Sequence, residues 1–110
     1  MPFYLMRFSY TPEAWARLIK KPEDRRKVAR AVVEKLGGKL HGFWYSFGEH
    51  DGFLVIEAPD NVSAAAFSVG IAAGGSVRSA ETTALLTVEE TMVMLEKAQG
   101  LPYTAPGASS

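Results

Sequence analysis

Residues 39–58 read KLHGFWYSFGEHDGFLVIEA, and they decide the fold. Two apolar, aromatic-rich runs, 39–47 and 52–58, flank the four residues Gly48, Glu49, His50 and Asp51. Glycine and aspartate tolerate turn geometry, so the stretch reads as a β-hairpin. Side chains alternate along a strand. Pairing Phe47 opposite Gly52 puts Phe43, Tyr45, Phe47, Leu54 and Ile56 on one face and Trp44, Phe53 and Val55 on the other. Both faces are apolar, whereas a sheet covered on one side only alternates apolar with polar. Helices cover one face; a large apolar patch left on the other needs a partner. The expectation is a homodimer paired through its sheet faces, a two-fold arrangement being the commonest, with higher oligomers left open.

Working outward, FYLMRFSY (3–10) alternates as a first strand, with Tyr4, Met6, Phe8 and Tyr10 on one face and Phe3, Leu5, Arg7 and Ser9 on the other. Thr11 and Pro12 suit the cap and first position of a helix that carries Trp15, Leu18 and Ile19. Pro22 breaks it. The helical pattern resumes from Glu23 with Val28, Val32 and Leu36, and ends at Gly37-Gly38. Asp60 caps an Ala-rich helix whose expected stripe is Val62, Ala66 and Val69, closed by Gly74-Gly75. Residues 77–87 form a fourth strand. Thr87 and Glu90 have the spacing of a capping box before a third helix striped by Val88, Met92 and Leu95. The order β-α-β-β-α-β plus a C-terminal helix predicts a ferredoxin-like α+β domain with an antiparallel sheet. One domain spans 1–99, and a Pro/Gly/Ser-rich tail spans 100–110.

Composition sets outer limits. The 110 residues carry 12 Lys+Arg and 12 Asp+Glu, a formal net charge of +0, so no electrostatic case exists for nucleic acid or an anionic membrane. There is no cysteine, which removes disulfides, thiolate chemistry and cysteine metal sites. The N-terminal residues lack a signal-peptide pattern, and no apolar run is long enough to span a bilayer. A cytoplasmic protein is the expectation.

The segments PEDRR (22–26), GGKLHGFWYSFGEHDGFLVIEAPDN (37–61) and AAGGSVRSAETTALLTVEE (72–90), in this order, resemble the GYD-domain family. The resemblance extends from Phe3 to the last helix and implies the dimeric α+β barrel fold. Where that family tends to have Tyr before Asp, this chain has His50 before Asp51. The resemblance implies a fold and no established reaction. Proteins of similar fold include cofactor-independent monooxygenases, lactone isomerases and ligand-binding proteins, an analogy at the level of fold.

Several residues are candidates for chemistry. His50 suits a general base beside Asp51, since imidazole titrates near neutrality; consecutive turn residues diverge, so both equally serve a hairpin. His41, on the Tyr45 side of the alternation, lines a pocket in one reading and sits at a strand end in the other. Arg7 interrupts an apolar face and needs Glu57, Glu81 or a bound anion beside it. Tyr4 and Tyr45 are candidates to orient a ligand, among aromatics that otherwise fill the core. The two histidines lack a ligand spacing, so no metal is expected, and no cofactor is implied. The glycines of AAGGSVRS follow a helix and match no phosphate-loop spacing. The expected function is binding of a small organic ligand between sheet and helices, with cofactor-free proton transfer or oxidation as its catalytic version. His41 or His50 would carry the proton, and Tyr4, Arg7, Tyr45 and Asp51 would hold the ligand. The alternative is a non-catalytic binding or assembly module.

Overall fold

The structure, a computed structural model, describes residues 1–107; the last part of the expected tail, 108–110, lies outside them. The elements are β1 (Phe3–Tyr10), α1 (Pro12–Lys20), α2 (Arg26–Lys35), β2 (Lys39–Tyr45), β3 (Gly52–Glu57), α3 (Asn61–Ala73), β4 (Val77–Leu85) and α4 (Val88–Gln99). The strands form one antiparallel sheet in the order β2-β3-β1-β4. This is the ferredoxin-like arrangement. Pro22 separates α1 from α2 as expected. Caps fix the starts of three helices. Thr11 Oγ1 accepts from Ala14 N, Asp60 Oδ1 accepts from Ser63 N at 2.8 Å, and Thr87 and Glu90 close a reciprocal capping box.

The core lies between the sheet and the helices. Tyr4, Met6, Phe8 and Tyr10 of β1 and Leu54 and Ile56 of β3 are buried there, with Ala29 and Val33 of α2 and Ala64 and Phe67 of α3. Gly52 belongs to the same face. A Cβ on it would lie 2.6 Å from the Phe8 ring, so only glycine lets the ring sit over the hairpin. The opposite face, with Phe3, Leu5, Arg7, Trp44, Phe53 and Val55, carries no helix among the described residues. Trp44 stacks on Phe53 at 5.3 Å and lies flat against Gly42, where a Cβ would fall within 2.1 Å of the indole.

Four expectations are corrected. The hairpin pairs Tyr45, not Phe47, with Gly52. Residues 46–51 form a loop that bonds to itself and to β1: Ser46 Oγ donates to the His50 carbonyl and Asp51 N to the Phe8 carbonyl. Phe47 is left fully exposed on that loop. His41 does not share the Tyr45 face. A β-bulge between Leu40 and Gly42 inserts one residue, and His41 joins the open face, bonded to Glu57 and 5.2 Å from the Phe3 ring. The helices are rotated from their expected stripes. In α2 Ala29 and Val33 are buried while Val28 and Val32 are exposed; in α3 Ala64 and Phe67 are buried while Val62 and Val69 are exposed. The bulkiest apolar side chain of α3, Phe67, sets its phase. Finally, the α4 stripe is real but uncovered, and no residue of α4 is buried.

Candidate functional site

Helix α2 lies on β2 and α3 lies on β4, and between the two helices the sheet is not fully covered. A cavity of about 380 Å³ opens there. Met6, Phe8, Phe43 and Leu54 form its floor; Val28 and Val32 of α2 and Gly70 and Ile71 of α3 form its walls. The local sequence explains the gap. Residues 64–75, AAAFSVGIAAGG, present small side chains, and a Cβ placed on Gly70 would meet nothing within 4 Å. The exposed valines of α2 are thus explained as one wall of a cleft.

The polar groups gather at one end, where Tyr10, Arg25 and Ser76 line the cavity. The same three residues line an adjoining hollow beside α1 of about 660 Å³, with Arg17, Lys20 and Lys21. The Tyr10 hydroxyl lies 3.2 Å from that of Tyr45, and its ring meets Trp15 edge-on at 5.1 Å. Burial first, and then the hydrogen bond with Tyr45, push the Tyr10 phenol well above its ordinary value. It is a neutral donor at physiological pH. The Arg25 guanidinium is paired with Glu23 at 2.6 Å and stays partly exposed. An apolar chamber with a phenol, a guanidinium and further cations at its mouth suits a small molecule with an apolar body and an anionic head.

The residues singled out from sequence fall in three places. Tyr45 stands beside Tyr10 at the mouth. Asp51 supports that mouth from behind: its Oδ2 accepts from Tyr10 N at 2.8 Å and from Trp15 Nε1 at 3.1 Å. Tyr4 donates to Asn61 Oδ1 beside the start of α3, away from the cavity. Arg7, His41 and His50 all belong to the open face. Arg7 stands between Phe53 and Glu81 in the strand register. His41 Nε2 is 2.6 Å from Glu57 Oε1, and His50 Nε2 is 3.5 Å from Glu81 Oε2. The structure therefore does not bring the histidines together with Tyr45 and Asp51. Among the described residues no group of three His, Asp or Glu side chains is placed to hold a metal ion, and no helix is long and apolar enough to cross a membrane. Arg25 and Ser76 were missed. The only signal for Arg25 was the PEDRR segment, which reads as a solvated charge run.

Comparison with known proteins gives a family and a fold. The GYD domain family model matches residues 4–95. No curated protein sequence matches the chain significantly. Among solved structures, MtbAldR is similar at a TM-score of 0.51 and 14% identity, over 99% of this chain and 58% of that one. A transcriptional regulator from Neisseria meningitidis, in complex with L-Met, is similar at a TM-score of 0.50 and 19% identity, over 79% of this chain and 51% of that one. The chain thus spans between half and three-fifths of these proteins, and the likeness is one of fold.

Proposed function

The chain belongs to the GYD domain family, and we propose that it is a homo-oligomeric binding protein for a small organic acid, held in the α2–α3 cleft. The observation that carries this reading is the cavity itself: apolar along its length, with Tyr10, Arg25 and Ser76 together at one end. The apolar body of the ligand lies over Phe8, Phe43 and Leu54. Its carboxylate meets the Arg25 guanidinium and the neutral Tyr10 hydroxyl, which Asp51 and Tyr45 hold in position. Binding is favoured over proton transfer because both histidines stand on the open face. The uncovered face, with Trp44, Phe53 and Val55, supports pairing of two sheets. The L-Met complex of a protein with a similar fold supports including apolar amino acids among the ligands tried.

The experiment is a thermal-shift and calorimetric screen of apolar carboxylates and amino acids, each also tested against Arg25→Met. A ligand at a hundred times its Kd stabilises the folded state by about 2.7 kcal/mol, a readily measured rise in Tm. Losing a charge-assisted contact costs about 1.5–3 kcal/mol, so Arg25→Met should weaken binding roughly tenfold to a hundredfold. A silent panel, or a ligand that binds Arg25→Met as well as the wild type, rejects the proposal.

A further inference from the structure

We infer that α4 is an arm that docks on a second copy of this chain, packing along α2 and closing the cleft in trans. The helix is locally well specified, with a complete capping box, yet Val88, Met92, Val93, Met94 and Leu95 are all exposed. It stands off the domain: the radius of gyration is 18.2 Å, against about 13 Å for a compact domain of this length. A helix with an apolar stripe and nothing beneath it is built for another surface.

The polar mouth of its own cleft is out of reach. Only Leu86 and Thr87 separate β4 from α4. The polar mouth sits beside Val77, at the far end of β4 and roughly 26 Å of extended chain away. The 12 residues of α4 extend about 18 Å.

A second copy offers what α4 lacks. Val28 and Val32 of α2 are exposed one helical turn apart, as Val88 and Met92 are on α4. Charges match as well. Helix α2 carries Arg26, Lys27, Arg30 and Lys35 against Glu34, a net +3, while α4 carries Glu89, Glu90 and Glu96 against Lys97, a net −2. The inference rests on the homo-oligomer reading above, but its test needs no ligand.

The chain has no cysteine, so single-cysteine variants report single contacts. Met92→Cys, carrying a mass tag, is mixed in equal amounts with Val32→Cys and oxidised; Leu95→Cys with Val28→Cys is a second pair. Glu13→Cys, exposed on α1, is the control partner. All four arm and cleft positions are exposed, so folding is not at stake. The expected result is a mixed disulfide from either pair at several times the control yield, and a lower molar mass in light scattering for the double variant Met92→Glu/Leu95→Glu. An oligomer that gives no mixed product above control, or whose mass the double variant leaves unchanged, overturns the arm alone. A wild-type monomer overturns both the arm and the homo-oligomer reading.

Discussion

At the scale of single residues, Asp51 matters most to the architecture of the mouth. One carboxylate oxygen accepts from the backbone of Tyr10 and the indole of Trp15, tying the end of β1 to α1 and fixing the phenol between them. Asp51→Ala leaves two inward-facing donors unpaired. It should cost about 3 kcal/mol, given roughly 1.5 kcal/mol for each hydrogen bond to a charged group, and lower Tm by roughly 10 °C. Asp51→Asn keeps an acceptor at the same place and should lose about half as much. Urea unfolding measures both; a loss under about 0.5 kcal/mol for the alanine variant would refute this role. Sequence alone marked Asp51 as a turn residue, as the partner of His50 or as a ligand-holding residue. None of these readings could see Trp15, which is 36 positions away. His41 and His50 drew attention through their chemistry, but the bulge in β2 sets the face of His41 and the path of the 46–51 loop sets that of His50.

Among the elements, the helices show what periodicity conveys and what it leaves out. Their order, their caps and the break at Pro22 were legible, because Thr11, Asp60, Thr87 and Pro22 act locally. Their rotation about their own axes was not. Valine and alanine occur on several sides of α2 and α3, so more than one apolar stripe fits each pattern. The stripe that wins is set by tertiary packing, with Phe67 and Val33 seated on the sheet. The cleft follows from that rotation, which turns Val28, Val32 and Gly70 toward the gap. Gly70→Leu tests the cleft directly. A leucine there replaces a poor helix former in mid-helix, worth up to about 1 kcal/mol, and its side chain enters empty space. The variant should be at least as stable as wild type in thermal unfolding, while its affinity for any cleft ligand should fall at least tenfold. Unchanged affinity in calorimetry would place the ligand elsewhere.

For the whole molecule, the two-faced sheet is the property that reached furthest from sequence. Apolar residues on both sides of the alternation in β1, β2 and β3 imply a second surface from the sequence alone. The structure leaves that surface bare in one chain, with Trp44 half exposed on its stack with Phe53. Trp44→Glu inserts a charge where two sheets are proposed to meet, and an unpaired buried charge is costly. Light scattering should give a multiple of 12.0 kDa for the wild type and a smaller mass for Trp44→Glu. Equal masses would exclude the face as the interface. The α4 arm was legible only as a helix. Its lack of cover is a property of three-dimensional path, since its apolar stripe looks like any core-facing one.

The bulge in β2 has a consequence for how the chain tolerates changes of length. Leu40, Phe43 and Tyr45 share the core side only because one surplus residue is absorbed between Leu40 and Gly42. Removing His41 would leave a strand of regular alternation, with Phe43 and Tyr45 still facing inward and the contacts to Glu57 and the Phe3 ring lost. Removing one residue beyond the bulge, such as Trp44, would move the remainder of the strand to the wrong face. His41 is therefore the position in this strand where the chain can shorten by one residue without changing its reading frame against the sheet.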